Sequence, residues 1–296
     1  MQDNSYQKFL KSYPDAFTDL TDMGINWDDF GKLKQSYSMV DDKHYGVPFD
    51  NGAVIACYRT DILKEAGYTI DDLTDITWSE FAKIGKDVHD KTGKYLLTSE
   101  GTGGDTMMMM IQSCGANFVN ENGDAYIVGN DIAEKCVDIY TELVQNDVVK
   151  LVNNWDEYVS TITNGEAAGV VNGNWITATI ASTEDQKGQW AITTMPSVDG
   201  VDSATHYANN GGSSWYVTAN CQNKDLAEDF LKSTLVPVQI SMMQSFHRPV
   251  RLPATYQPEN RMYTTSQTSS STISDLLHDR RILFPYSGVY KDSVSL

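Results

Sequence analysis

A mixed α/β fold follows from two features of the 296-residue chain. Apolar runs too short for helices alternate with segments of helical period, and two of those segments open on capping-box spacing. Hydrophobic residues make up 41% of the chain, enough for a full core, and the length suits two domains.

The elements follow in order. In "YGVPFDNGAVIACYR" a loop leads into Ala53 to Tyr58, a continuous apolar strand of the kind buried on both faces. "TDILKEAGY" then makes a short helix capped by Thr60, with Ile62, Leu63 and Ala66 inward and Gly67 ending it. In "TWSEFAKIGKDVHDKTG", Thr77 caps and Glu80 reaches back, while Phe81, Ile84 and Val88 form the inner stripe up to Gly93. "DIAEKCVDIYTELVQND" has the same grammar. Asp131 is its cap and Glu134 the third residue, with Ile132, Cys136, Tyr140, Leu143 and Val144 on one face. The small-residue run Ala167 to Val171 reads as a buried strand closed by the polar corner Asn172-Gly173-Asn174. "WAITTMP" and "SSWYVTA" alternate as strands, "NKDLAEDFLKSTL" reads as an amphipathic helix, and the Ser/Thr-rich stretch from Tyr263 to Ser274 as a loop or a polar helix start.

The net charge of −18 repels phosphate backbones and excludes nucleic acid as a partner. Cys57, Cys114, Cys136 and Cys221 have no C-x-x-C or His-Cys spacing, and the five histidines include no i, i+4 pair. No metal or other cofactor is therefore expected, and the cysteines read as buried free thiols. Neither a nucleophile elbow nor a phosphate loop is present: "GTGGD" lacks the lysine and the Ser/Thr that follow in one. Asp28-Asp29, Asp41-Asp42 and Asp71-Asp72 read as helix-start or turn charges rather than catalytic pairs. No catalytic residue is assigned.

Aromatic residues beside small polar ones carry the functional signal. Trp155 follows Asn153-Asn154, Trp175 follows Asn172-Gly173-Asn174, Trp215 follows Gly211-Gly212-Ser213-Ser214, and Tyr286 follows Pro285. A sugar asks for this mixture: its C–H face packs on a ring, and its hydroxyls need Asp, Asn and backbone partners. A lone tryptophan is more often core; several at strand ends favour binding.

Five segments in order give a resemblance. These are "YGVPFDNGAVIACYRTDILKEAGY", "ITWSEFAKIGKDV", "ITNGEAAGVVNGNW", "WAITTMPSVDG" followed by "NNGGSSWYVTANCQNKDLAEDFLKSTL", and "ILFPYSGVYKDSV". Together they resemble the family 1 extracellular solute-binding proteins of ABC importers, the family of maltose-binding protein. The resemblance implies a two-lobe periplasmic-binding-protein-like fold of class II type. Residues 1–50 and 215–262 would form the N-terminal lobe, and 51–214 and 263–296 the C-terminal lobe. It also implies a carbohydrate ligand held in the interlobe cleft and delivered to ABC transporter permease subunits. The setting would be the extracellular membrane face or the periplasm, with the membrane reached only through a lipid anchor outside this chain.

The family's leading βα units have no counterpart before "KFLKSYPDAFTDL", so the N-terminal lobe is expected to be incomplete, and the closing helices are expected beyond Leu296. Gly169 stands where the family usually has Met, and Cys57-Tyr58-Arg59 where it has Tyr-Tyr-Asn.

Ligand-binding candidates are Asp50 and Asn51 at the first crossing; Asp105, as a hydroxyl acceptor or a plain N-cap; Asn174 and the stacking Trp175, whose alternative is an interlobe core plug; Gly211, Gly212 and Ser213; Trp215; and Tyr207 and Tyr286. Met107 to Met110 read as core, since four consecutive residues cannot share a helix face. Two competing readings remain: a carbohydrate-active hydrolase with paired carboxylates, and a binder of a non-sugar solute, to which only His206-Tyr207 points.

Overall fold

The computed structural model describes residues 1–236 apart from Thr102, Glu121 and Gly123. Tyr286, the 263–296 segment and the Ser/Thr-rich stretch lie outside the described residues. Contacts divide the described chain into two units. The first holds Met1–Gly52 and residues 211–236, and the second holds Ala53–Asn210.

In the first unit, α1 (Asp3–Ser12) and α2 (Lys32–Ser36) precede a small hairpin of β1 (Met39–Val40) and β2 (Lys43–His44). Asp41 and Asp42 turn the hairpin in left-handed conformations (φ 49° and 59°). Strand β3 (Gly46–Arg59) starts here and runs on into the second unit. It is longer than the apolar run suggested. "GVPFDN" belongs to the strand and not to a loop: its backbone finds sheet partners although the segment includes glycine, proline, Asp50 and Asn51. Leu20, Met23, Phe30, Val47, Val217 and Leu231 form this unit's core. Beside them Tyr6 stacks on Tyr216 (3.9 Å, 20°).

In the second unit come α3 (Thr60–Ala66), α4 (Trp78–Thr92), β4 (Leu97–Glu100), α5 (Gly104–Ser113), α6 (Asp131–Gln145), β5 (Val149–Val152), α7 (Trp155–Thr163), β6 (Gly169–Gly173), α8 (Thr177–Ala181), β7 (Trp190–Thr193) and β8 (Asn209–Tyr216), whose last residues return to the first unit. Antiparallel β6 and β7 flank β3, with Ile55 opposite Asn172 and Cys57 opposite Ile192. Strands β4 and β5 pair in parallel. The buried stretch of β3 alternates between two cores. Val54, Ala56 and Tyr58 face one built with α3, α4, α5 and α6, while Ile55 and Cys57 face one built with α7 and α8. Helices on both faces explain the uninterrupted apolar run. The Thr77–Glu80 capping box is present, and Gly67 and Gly93 end their helices in left-handed conformations.

Tyr58 pairs with Gly169 across the strands, and a Cβ on Gly169 would lie 2.3 Å from the Tyr58 ring. The phenol and the Leu96 carbonyl leave no space for a side chain at residue 169.

Several expectations are corrected. Arg59, not Thr60, stands at the N-cap of α3, and the Thr60 hydroxyl bonds the Gln189 carbonyl instead. Asn130, not Asp131, caps α6, because its side chain is the one that reaches Ala133 N–H. The strand expected at "SSWYVTA" begins earlier, at Asn209. The helix expected at "NKDLAEDFLKSTL" is α9 (Lys224–Phe230) with the helical turn Leu231–Leu235 after it; Ala227 and Leu231 form its inner face against the first unit's core, while Leu226 is 68% exposed. Asn172-Gly173 is not a turn: both are buried in β6, and only Asn174 starts the short 3-10 turn that carries Trp175.

Candidate functional site

The second unit places five aromatic and amide groups in one chain of contacts. Asn154 caps α7 by accepting from Glu157 N–H, and Glu157 returns its carboxylate to Asn153 N–H (2.8 Å). Trp155, the first residue of the helix, is fixed there and stacks on Tyr158 one turn on (5.2 Å, 17°). Asn172 Nδ2 donates to the Tyr158 hydroxyl (3.0 Å), and Asn210 Nδ2 donates to Asn172 Oδ1 (2.9 Å). The Asn210 carbonyl accepts the indole N–H of Trp175 (2.8 Å). Burial pushes the Tyr158 phenol above its ordinary range, with Asn172 opposing, so Tyr158 stays protonated.

Gly173 makes the arrangement possible. A Cβ there would lie 2.2 Å from Trp175 Nε1 and 2.4 Å from the Asn210 carbonyl oxygen. Glycine lets the indole fold back over the end of the strand and reach its acceptor. Trp175 is left 36% exposed and Trp155 44% exposed, with centroids 5.7 Å apart and planes inclined by 50°.

Beside them lies a recess lined by Ser99, Glu100, Asp105, Trp155, Tyr158 and Asn172 among others, holding about 480 Å³ of empty space when its open mouth is counted. A hydroxyl chain from Tyr140 through Ser99 to Thr106 adjoins it. Asp105 is exposed in the first turn of α5 and accepts a long bond from Asn210 Nδ2 (3.3 Å). It is not the N-cap, which is Gly103 in a left-handed conformation. Met107, Met109 and Met110 are core.

In the first unit, Asp50 Oδ1 accepts from Ser213 N–H (2.7 Å) and from its hydroxyl (2.6 Å). Lys34, buried, bonds Asp3 and donates to the Ser213 carbonyl (2.6 Å), while Asp3 also accepts from the Ser214 hydroxyl (3.0 Å). Burial lowers the Lys34 ammonium below its ordinary value; Asp3 and then Asp50 oppose that shift. Gly211 and Gly212 both have φ of 99°, and a Cβ on Gly212 would sit 2.9 Å from the Asp3 carboxylate. Trp215 is 46% exposed and meets Phe49 edge-on (5.9 Å, 88°).

Among the sequence candidates, the structure thus joins Asp105 and Trp175 through Asn210, and joins Asp50, Gly212 and Ser213 in a second cluster beside Gly211 and Trp215. Asn51 and Asn174 are exposed, with no side-chain hydrogen bond among the described residues, and Tyr207, 49% exposed, lines neither group. Sequence reasoning missed Asn172, Asn210, Tyr158 and Glu100. It noted Trp155 without assigning it a role, although Asn-Asn-Trp and Asn-Gly-Asn-Trp are one pattern.

A family model described as bacterial extracellular solute-binding protein matches residues 3–252. The chain belongs to the bacterial extracellular solute-binding proteins. As a member of that family it is 37% identical over 231 residues to the lactose-binding protein of Rhizobium radiobacter, covering 78% of this chain and 54% of that protein. It is 27% identical over 234 residues to the arabinooligosaccharide-binding protein of Bacillus subtilis strain 168, covering 76% and 52%. The chain spans about half the length of the curated relatives it matches.

Among solved structures it resembles the GacH receptor of Streptomyces glaucescens GLA.O, with a TM-score of 0.67 at 17% identity over 83% of this chain and 63% of that one. It also resembles the ABC transporter associated binding protein of B. animalis subsp. lactis Bl-04, solved with beta-1,6-galactobiose, with a TM-score of 0.67 at 18% identity over 82% and 60%. These likenesses show the fold, the two-lobe α/β architecture of periplasmic sugar-binding proteins.

Proposed function

We propose that this solute-binding protein takes a sugar or oligosaccharide and delivers it to the permease subunits of an ABC importer. One observation carries the reading. Two pinned, partly exposed indoles meet at 5.7 Å, and one of them, Trp155, walls a recess that offers carboxylates, an amide and hydroxyls, the combination that matches a sugar's apolar face and polar edge. The curated relatives are named for lactose and arabino-oligosaccharides, which points to the same ligand class.

The protein binds and does no chemistry. Trp175 supplies a platform, with Asn174 beside it. Asp105 accepts hydroxyl hydrogens, and Asp50, Asn51, Gly211, Gly212, Ser213 and Trp215 add contacts from the first unit, with Tyr207 and Tyr286 at the margin. The two units serve as the two lobes. The protein works on the extracellular face of the membrane or in the periplasm, attached through a lipid anchor outside these residues.

The test is a glycan panel on the purified chain, read by thermal shift and by product analysis on the same samples. A ligand that raises the melting temperature and is recovered intact supports the reading. Turnover of any glycan would establish the hydrolase alternative, and stabilisation only by non-sugar solutes the other.

A further inference from the structure

Glu100 has no part in the reading above, yet it lines the recess. Its backbone is fixed at the end of β4, where it pairs with Val152 and its carbonyl accepts Gly103 N–H (2.8 Å). Its side chain is exposed, and its carboxylate has no hydrogen bond or ion pair among the described residues. Asp105, the other carboxylate of the recess, holds only the long bond from Asn210 Nδ2 (3.3 Å). Among the described residues no Lys, Arg or His lines the recess. Burial pushes the Tyr158 phenol upward, and both carboxylates add to that push, so both act on the same wall.

Two negative charges therefore meet in a recess without a counterion. A ligand that enters strips water from them, which is costly. A sugar hydroxyl returns one neutral hydrogen bond. An ammonium returns charge-assisted bonds, roughly twice as strong, and cancels charge as well. Asp105 already has one offset, because it sits in the first turn of α5 at the positive end of the helix. Glu100 ends a strand and has none. The Trp155 and Tyr158 rings suit a cation as well as they suit a sugar's C–H face.

We propose that the ligand is an amino sugar, or a saccharide containing one, and that Glu100 receives its ammonium with Asp105 in the same recess. This rests on the sugar-binding reading and adds the charge of the ligand.

Calorimetric titration of the full chain tests it at about pH 6, where amine and carboxylates are all ionised. The probes differ in one group: glucosamine beside glucose and N-acetylglucosamine, galactosamine beside galactose, and galactosyl-glucosamine beside lactose and its N-acetyl form. At least one amino form should bind roughly tenfold or more tighter than its neutral counterparts. Glu100→Gln keeps the shape and removes the charge. It should abolish most of that margin while changing the neutral counterpart by less than about threefold. Glu184→Gln removes one charge outside the recess from the same acidic chain and should leave the margin intact. Thermal melting of each variant reports folding separately. Neutral forms binding as tightly as amino forms would overturn the proposal. So would a margin that survives Glu100→Gln, which would trace it to the net charge of −18, or equal losses for both forms, which would make Glu100 a hydroxyl acceptor. Putrescine binding as tightly as the amino sugars would also overturn it, in favour of a non-sugar cation. No response to any saccharide would overturn the sugar-binding reading itself, and the charge assignment with it.

Discussion

Asn210 and Ser213 stand three residues apart on β8 and are used in opposite ways. In the second unit Asn210 is the holder: its amide grips Asn172 and Asp105, and its carbonyl grips Trp175. In the first unit Ser213 is what is held, clasped by Asp50 and by the Lys34–Asp3 pair. One network is built chiefly of neutral amides and ends in exposed indole surface. The other is built of charges around glycines that leave no room for side chains. A neutral network tolerates loss of charge but not intrusion of volume; a charged network depends on every ionised partner.

The largest effect that would break this contrast is steric. Gly173→Ala should displace Trp175 or the Asn210 carbonyl, because the new Cβ has no free space and its neighbours are a ring held by a hydrogen bond and a backbone atom. A cost of about 1–3 kcal/mol is expected, as for other overpacked sites, and sugar affinity should fall with it. Thermal melts combined with titration against whichever saccharide the panel yields would check both. A variant with unchanged stability and affinity would show that Trp175 does not need its present seat.

Next in size is Trp175→Ala. The lost stacking and buried area should weaken sugar binding by roughly tenfold to a thousandfold. Stability should fall by only about 1–3 kcal/mol, since the ring is partly exposed and makes one internal hydrogen bond. A true core tryptophan would cost about 3–5 kcal/mol. A variant that melts far lower yet binds normally once folded would return Trp175 to the core.

Two aspartates sharpen the comparison. Asp50→Ala removes both side-chain bonds to Ser213 and should destabilise the chain by about 1–3 kcal/mol. Asp105→Ala loses one long bond at an exposed position and should cost under about 0.5 kcal/mol, while lowering sugar affinity more than stability. If the two variants melted alike, the division between a holding role and a ligand-facing role would fail.

How far the sequence foretold these networks depended on whether the partner was local. The β3 core was legible because a run buried on both faces needs no partner to be recognised, and so was the Thr77–Glu80 box, whose two halves lie three residues apart. The Asn172-Gly173-Asn174 stretch was misread as a corner. Buried amides are costly alone, and the group that satisfies Asn172 sits 38 residues on, at Asn210. The same reason hid "NNGGSSW" as a strand, since Gly212 makes space for Asp3 and Lys34, which are distant in sequence. The thiols divide likewise. Cys57, Cys114 and Cys136 are buried, but Cys221 is only half-buried, which corrects the expectation of four hidden thiols. One cysteine should label rapidly in the native state and three only on unfolding, as mass spectrometry after brief alkylation would show.

The smallest expected effect is on pH, and it belongs to the charged first unit. His44 stacks flat on Trp27 (3.8 Å, 6°), and its Nδ1 is buried without a hydrogen-bond partner among the described residues. Burial lowers its pKa below the ordinary 6.5, and the Asp19 carboxylate, itself paired with Lys43 at 3.1 Å, opposes only part of that. The folded chain therefore prefers neutral His44. Above pH 6.5 neither state takes the proton, and the contribution to stability is complete. As pH falls below 6.5 the unfolded chain binds a proton that the folded chain refuses until its lower pKa is reached, so stability declines across that interval. The melting temperature should drop by a few degrees at most between neutral pH and about pH 5.5. His44→Gln, which cannot titrate, should flatten that part of the profile while leaving any carboxylate-driven loss at lower pH in place. A wild-type profile level through this range, or one that His44→Gln leaves unchanged, would show that the stack accommodates the imidazolium and that the first unit's pH response lies elsewhere.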